Sequence, residues 1–431
     1  MANSTLRNPF LQRLALLSVH TSPLAPLGGD KTGGMNVYVR EFSRELARQE
    51  VQVDIFTRAT DANQPLVDQS IGAGVRVIHV MAGPPRAISV DEIANHLPEF
   101  ADGVLQFAAA EKLSYDLIYS HYWLSGLVAE QLRRRWMGVP IVHMFHTLGH
   151  MKNKVAQTER ERASQERLNG EQRVMQIADR LIAPTEAERS QLIELYGADP
   201  QKIAVIPPGV DLSRFRRMGK EQARSSVDLP AERTHIVFTG RIEPLKGIDT
   251  LLRATALLRQ RRPEVAANAK VTIIGGDPAA VERDTELARL YDLRCSLNLC
   301  DLVGFVGAKD QDLLPYYFAA ADMVVMPSHY ESFGMVALEA MASGTPVVAS
   351  EVGGLAHLVH HGKTGLTFPA QDPEALAARI DELLADANLR RHLGLQASAH
   401  ARQYRWPAIV RRLVEEVFCP LVERRCTDPL G

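Results

Sequence analysis

Thr234-His235-Ile236-Val237-Phe238-Thr239-Gly240-Arg241-Ile242-Glu243-Pro244-Leu245-Lys246-Gly247-Ile248-Asp249-Thr250-Leu251-Leu252 passes from an apolar, β-branched run through a short loop to the opening of a helix. The first six residues read as a buried parallel strand, covered on both faces. Arg241 and Lys246 therefore sit on a strand-to-helix connection at the carboxyl end of a strand, where open α/β sheets bind ligands. Two fixed cations there suit a diphosphate, Arg as a bidentate fork and Lys as a point charge. One such cation alone is ordinarily just solvated. Both together, flanked by Gly240 and Gly247, point to a ligand.

The same strand–helix rhythm extends along the chain in both directions. Strand-like runs are expected at 14–19, 51–57, 75–80, 115–120, 140–145, 180–184 and 203–206, with helices at 37–49, 91–111 and 124–135 and a long polar helix after residue 145. Downstream, strands at 236–239, 270–275, 302–306, 323–326 and 346–350 alternate with helices, and helices alone run from there to the end. Alternation on this scale predicts an α/β fold with parallel sheets and right-handed crossovers, in two doubly wound domains. Pro207-Pro208-Gly209 onward is rich in turn residues and marks the hinge. The expected domains are 1–208 and 209–404, with a C-terminal helix at about 405–431 packing back on the first.

A second informative run is His329-Tyr330-Glu331-Ser332-Phe333-Gly334-Met335-Val336-Ala337-Leu338-Glu339-Ala340. Gly334 keeps the backbone thin, and a helix is expected from Phe333. Eight positions is a little over two helical turns, so Glu339 projects on nearly the same face as Glu331, one carboxylate at the loop–helix junction and one deeper. That spacing suits a grip on both ends of an elongated ligand. The third run, 20–39, ends a polar loop with Gly33-Gly34 before Met35-Asn36-Val37 starts a helix. Paired glycines at a helix N-terminus let phosphate oxygens reach free N–H groups. No G-x-G-x-x-G is present, which argues against a dinucleotide cofactor.

At 431 residues the chain exceeds one hydrophobic core, and 46% hydrophobic with 23% charged residues is ordinary for a globular enzyme. A net charge of −2 provides no basis for wrapping nucleic acid or coating an anionic membrane. No apolar run reaches the length of a membrane span, and residues 14–19 are too short for a signal-peptide core, so a first strand is expected there. Asn3-Ser4-Thr5 fits a glycosylation sequon but is discounted without a secretion signal. Cys295, Cys300, Cys419 and Cys426 have neither metal-ligand nor disulfide-scaffold spacing and read as free thiols in a cytoplasmic protein.

Together these runs resemble the family-4 retaining glycosyltransferases of GT-B architecture, over nearly the whole chain. Within the family, His20-Thr21-Ser22-Pro23-Leu24, Gly33-Gly34-Met35-Asn36-Val37-Tyr38-Val39, Ser120-His121-Tyr122-Trp123-Leu124-Ser125-Gly126 and His146-Thr147-Leu148 look most like D-inositol-3-phosphate glycosyltransferases. Sucrose-phosphate synthases are a near second, on His146 through Lys152 and Ile206-Pro207-Pro208-Gly209-Val210. The resemblance implies two Rossmann-like domains facing across a cleft and a hexosyl group moved from a UDP-sugar to a small phosphorylated polyol or sugar. It also implies site residues. Arg241 and Lys246 would bind the leaving diphosphate, and Gly33 and Gly34 would cover it from the other domain. Glu331 would hydrogen-bond the donor sugar and Glu339 the ribose, with Ser332, Phe333 and Gly334 completing the donor-binding run. His146 would face the sugar, so that His146, Arg241, Lys246 and Glu331 form the expected catalytic set. Asn36, Tyr122, Thr147 and Arg167 would hold the acceptor. One departure stands out: both relatives usually present a Lys after the Gly-Pro turn for the acceptor phosphate, and here Val90 takes that place, with Arg86 the nearest substitute.

Other patterns are read as decoys. Asp310-Gln311-Asp312 spells a metal-binding D-x-D, but it precedes Leu313-Leu314-Pro315-Tyr316 and is expected to cap that helix. With Arg241 and Lys246 present, neither a metal nor another cofactor is required. Gly362-Lys363-Thr364 lacks the first Gly of a P-loop, because residue 357 is His. His20, His143, His146 and His150 lack acidic or Cys partners at ligand spacing, and the charges of 152–167 alternate in sign as on a solvated helix face. The expected partners are a nucleotide sugar and a small phosphorylated acceptor, with no nucleic acid, no stable membrane insertion and room for a homodimer. Two other classes compete. A nucleotide-sugar epimerase would share the architecture, but Asn36, Tyr122 and Arg167 argue against it; a non-catalytic sensor would need a broken donor site.

Overall fold

Arg13-Leu14-Ala15-Leu16-Leu17 is buried from Leu14 onward and forms the first strand, β1 (Arg13–Leu17), in a computed structural model that describes residues 10–25, 33–156, 158–230, 232–281 and 284–427. The sequon at Asn3 and the loop stretch 26–32 lie outside the described residues. A strand apolar on both faces must be covered on both, which parallel strands with helical crossovers achieve. The chain continues as α1 (Gly34–Arg48), β2 (Gln52–Arg58), β3 (Val67–Asp68), β4 (Val75–Val80), α2 (Val90–Ala94), α3 (Leu97–Ala110), β5 (Leu117–His121), α4 (Tyr122–Arg135) and β6 (Ile141–Met144). It goes on through α5 (Gly149–Val155), α6 (Gln165–Ile177), β7 (Arg180–Ala183), α7 (Glu186–Tyr196) and β8 (Ile203–Val205). These strands make one sheet ordered β3-β4-β2-β1-β5-β6-β7-β8, parallel except for the β3–β4 pair.

A second stretch holds α8 (Lys220–Ser226), β9 (Thr234–Thr239), α9 (Ile248–Arg261), α10 (Pro263–Ala267), β10 (Ala269–Ile274), α11 (Thr285–Ser296), β11 (Val303–Phe305), α12 (Leu314–Ala320), β12 (Met323–Met326) and α13 (Met335–Ala342). It closes with β13 (Val347–Ser350), α14 (Gly353–Leu358), β14 (Gly365–Phe368), α15 (Pro373–Ala385) and α16 (Ala387–Ala401). Its six-stranded sheet, β11-β10-β9-β12-β13-β14, is parallel throughout and has the doubly wound order 3-2-1-4-5-6. The last segment is α17 (Trp406–Leu413), one π-helical turn at Val414–Phe418 and α18 (Cys419–Thr427). Of the described residues, 10–25, 35–207 and 406–427 form one compact unit, and 33–34 with 208–405 form the other.

Two expected helices need correction, and two strands, β3 and β14, were not foreseen. The single helix at 91–111 is two, because Pro98 has no N–H to continue the ladder from α2 and opens α3 instead. The long polar helix after 145 is also broken: α5 ends at Val155, a short turn follows at Glu159–Glu161, and Ser164 caps α6. A strand was missed at Gly365–Phe368, paired with β13; four residues opening on Gly carry too little pattern to stand out.

Candidate active site

In the second unit the strand order reverses between β9 and β12, and both informative loops leave the carboxyl ends of those two strands. After β9 the chain runs through Gly240 and a short 3-10 turn at Pro244–Lys246 to Gly247, whose φ is +63°. Only glycine fits there, since a Cβ would run into the Pro327 carbonyl oxygen of the loop after β12. That loop is tied back by His329, whose N–H donates to the Leu245 carbonyl at 2.8 Å. The two loops are thus one piece, and Lys246 Nζ donates to Glu331 Oε2 at 2.7 Å, with side chains only 16% and 17% exposed. Arg241 pairs with Glu243 at 2.9 Å.

Glu331 is held by a support that the sequence reading missed. Gly354 N–H donates to the Glu331 carbonyl at 3.0 Å, and a Cβ on Gly353 or Gly354 would collide with the backbone of Glu331, Ser332 or Phe333. Gly334, at φ +98°, then turns the chain into α13, whose first N–H groups have no side-chain cap. This left-handed residue means that Glu331 is not on the helix, so helical spacing does not relate it to Glu339, which is buried in mid-α13. Phe333 is buried against Tyr404, ring centroids 5.8 Å apart, with Ser332 beside it in the loop. Gly33 counts with this unit, where a Cβ on it would lie 3.7 Å from Arg241 Nε; Gly34 is the first residue of α1.

The first unit has its own reversal of strand order, between β1 and β5. After β1, Ser18 Oγ donates to the Thr21 carbonyl, Val19 N–H donates to Ser125 Oγ, and the His20 ring lies 4.3 Å from Tyr122. Asn36 is buried, its amide donating to Thr21 Oγ1 and the Ser22 carbonyl, each at 2.7 Å, so it shapes this loop. Tyr122 (φ +70°) and His146 (φ +63°) are left-handed non-glycine residues, a strained backbone that concentrates at functional sites.

Arg167 reaches this place because α4 and α6 approach closely: a Cβ on Gly170 would collide with the Trp123 ring, and one on Gly126 with Val174. Its guanidinium lies 5.0 Å over the Tyr122 ring. Nε donates to Glu171 at 2.8 Å, and Nη2 donates to the Thr147 carbonyl and Oγ1 at 3.0 and 3.1 Å. Glu171, 0% exposed, also accepts from Gly149 N–H and the Tyr196 hydroxyl. Tyr122, Thr147 and Arg167 are therefore one cluster, and Glu171 is its unassigned keystone. Arg167 is buried, not part of a solvated face.

His146 Nε2 stands 2.9 Å from His121 Nδ1, and the Tyr38 ring packs edge-on against His146 at 5.4 Å. Burial pushes the His146 imidazole down to about 3 and holds His121 and His143 well below the usual histidine range, so this end of the site is neutral. Arg86 is 67% exposed beside Glu92, and Val90 is the first residue of α2. The loop before it is anchored by Arg58, whose guanidinium donates to the carbonyls of Ala59, Pro84 and Arg86.

The D-x-D expectation fails in one respect. Leu313, not an Asp, is the N-cap of α12, and no side chain caps it; Asp312 instead pairs with Arg214 at 3.2 Å. Among the described residues no group of three or more His, Cys, Asp or Glu converges as metal ligands would. No helix among them is long and apolar enough to cross a membrane.

Comparison with known proteins agrees with this geometry. Residues 219–400 match the model for glycosyl transferases group 1, and residues 32–214 that for glycosyltransferase family 4. D-inositol 3-phosphate glycosyltransferase 2 of Catenulispora acidiphila is 45% identical over 399 residues, 92% of each chain. The chain belongs to the family-4 glycosyltransferases. The D-inositol 3-phosphate glycosyltransferase of Salinispora tropica is 43% identical, over 97% of this glycosyltransferase and 87% of that relative. Among solved structures, sucrose-phosphate synthase from Thermosynechococcus elongatus superposes with a TM-score of 0.85 at 36% identity, covering 94% and 98% of the two chains. Anabaena HepE, solved with UDP and glucose, shares the fold at a TM-score of 0.74 and 22% identity, over 94% and 99%. The two parallel-sheet units are those of a GT-B glycosyltransferase, and a retaining mechanism fits its family.

Proposed function

We propose that this glycosyltransferase moves a hexosyl group from a UDP-sugar to a hydroxyl of a small phosphorylated acceptor, with UDP-N-acetylglucosamine and an inositol phosphate as the first choice. The observation that carries the donor half is the Lys246–Glu331 pair, 2.7 Å apart at the reversal of strand order, with Arg241 on the same loop. Bound donor would exchange that internal pair for two external ones. Lys246 and Arg241 would neutralise the departing diphosphate, and Glu331 would accept hydrogen bonds from the sugar hydroxyls. Glu339 is assigned to the ribose and the uncapped start of α13 to phosphate oxygens. Burial lowers the basicity of His146, so it is assigned a hydrogen-bonding role toward the sugar and no proton abstraction.

Transfer would proceed with retention through an oxocarbenium-like transition state. The bond from the anomeric carbon to the diphosphate oxygen breaks as the acceptor oxygen bonds to that carbon, and the diphosphate takes the acceptor proton. On the acceptor side, Arg167, Tyr122 and Thr147 supply a buried cation and hydroxyls suited to one phosphate and a ring of hydroxyls. The names of the relatives favour inositol phosphate. The 36% identity to a sucrose-phosphate synthase supports a second reading, UDP-glucose with fructose 6-phosphate.

A donor-by-acceptor matrix read as UDP release separates these readings, with the anomeric configuration of the product taken from NMR. Release only with inositol phosphate is expected. Turnover with fructose 6-phosphate alone would replace the first reading with the second. Product without any acceptor would indicate an epimerase or hydrolase, and binding without turnover a sensor.

A further inference from the structure

Among the described residues, His146 makes one hydrogen bond within the chain, to His121, and the distance alone does not say which ring donates. The surroundings of His121 decide it. This ring is fully buried, and its second nitrogen, Nε2, meets no partner among the described residues. A proton on Nε2 would leave a buried N–H without an acceptor; a proton on Nδ1 leaves only an unused lone pair there. Orphaned buried N–H groups are the rarer and costlier case. His121 therefore carries its proton on Nδ1 and donates it to His146 Nε2.

A neutral His146 must then hold its own proton on Nδ1, the nitrogen with no partner among the described residues, on a side chain that is partly exposed. Packing holds both rings in this relation. Tyr38 lies 5.5 Å from His121 and 5.4 Å from His146, Tyr119 lies 4.2 Å from His121, and the Trp406 ring backs Tyr38 at 5.4 Å. His143 turns away, its Nδ1 bonded to Ser120 Oγ at 2.8 Å.

We propose that His121 is a positioning residue that locks His146 in the Nδ1–H tautomer, so that His146 offers the donor sugar an N–H and not a lone pair. A ring nitrogen's hydrogen bond setting the state of the other nitrogen is a general device of functional histidines. The proposal rests on the reading that His146 faces the reacting sugar.

The test is long-range ¹H–¹⁵N NMR of histidine-labelled full-length protein, with His146→Gln to assign the signal. The wild type should show Nδ1 protonated and Nε2 bare. An Nε2–H tautomer would overturn the proposal without any variant having to fold. In kinetics, His121→Ala should lower kcat by about 10–100-fold with little change in donor KM. His121→Asn, whose amide N–H falls near the position of Nδ1, should restore most of the loss. Asn performing no better than Ala would reduce His121 to packing and overturn the proposal. If His146→Ala is fully active while the tautomer is as expected, the failure belongs to the assumed role of His146, not to the lock.

An independent observation concerns the other unit. The sulfurs of Cys295, in the last turn of α11, and Cys300, ahead of β11, are 3.2 Å apart, and both thiols are exposed. We infer that this pair is a modification site that forms an intrachain disulfide by exchange with a low-molecular-weight disulfide. One cysteine thiolate attacks the small disulfide and releases one small thiol; the second then attacks the mixed disulfide and releases the other. The protein loses two protons and two electrons, which the small disulfide gains. After treatment of the folded chain with oxidised glutathione, mass spectrometry should find a loss of two hydrogens on the peptide spanning 295–300, reversed by reductant. Cys300→Ser should instead trap a stable glutathione adduct on Cys295. Persistent adducts on both cysteines of the wild type would overturn the inference.

Discussion

The loops proposed to bind the donor, in the second unit, and the cluster proposed to bind the acceptor, in the first, occupy the same topological place, the reversal of a parallel sheet, yet they are made of opposite materials. The donor side is a pair of loops stitched by backbone, with half-buried charges paired to each other: Lys246 with Glu331, Arg241 with Glu243. The acceptor side is buried and mostly neutral, with three histidines, a ring cluster and a single cation locked to a fully buried carboxylate. On that proposal, the two kinds of recognition draw their strength from different sources. Charges near water can be exchanged for a ligand at small structural cost, whereas a buried cation is part of the core that presents it.

The sharpest test of this contrast is Arg167→Ala. It strands the Glu171 carboxylate in the interior, so unfolding by urea should show a loss of about 3–5 kcal/mol. A loss near zero would mean that Arg167 is as expendable to the fold as a surface charge. Lys246→Ala should do the reverse, keeping stability while lowering the transfer rate by about two to three powers of ten. A near-wild-type rate, or unfolding of this variant, would break the comparison from the other side.

The folded-state values of His121, His143 and His146 lie below that of an unfolded histidine, about 6.5. The unfolded chain thus binds protons that the native chain refuses, and the stability present above pH 6.5 is lost as pH falls below it. The slope is up to about 1.4 kcal/mol per pH unit for each histidine. Thermal melts between pH 7.5 and 5 should show the decline, and His143→Gln should flatten it. His235, His329 and His400 of the other unit shift the same way and add to the decline. The smallest effect should come from EDTA, changing the rate by at most about a few-fold if Arg241 and Lys246 stand in for a cation. Abolition by EDTA and rescue by a divalent metal would return Asp310 and Asp312 to consideration.

Much of the proposed donor half was legible in the chain, because its parts are local. A strand, a cation-bearing loop and a helix follow one another within 234–252, and 323–342 repeats the order with a carboxylate, Glu331, in the loop. The neighbours that make those loops work were not legible: Gly353 and Gly354 under Glu331, or Gly247 against Pro327, are contacts between elements whose spacing in sequence carries no signal. The proposed acceptor half was legible only through the resemblance of its motifs, and the contacts of Asn36 with its loop, of Glu171 with Gly149 and of His121 with His146 were not foreseen.

What the sequence determined by itself is periodicity and local chemistry: apolar runs that must be covered on both faces, glycines where the backbone turns left-handed, and cations at the end of a strand. The tertiary structure alone decided partnership. It closed α4 on α6 so that Arg167 lies over Tyr122, and it set His121 against His146. The physical reason is that burial and hydrogen-bond satisfaction depend on whatever distant residue fills the adjacent space, which no local pattern encodes.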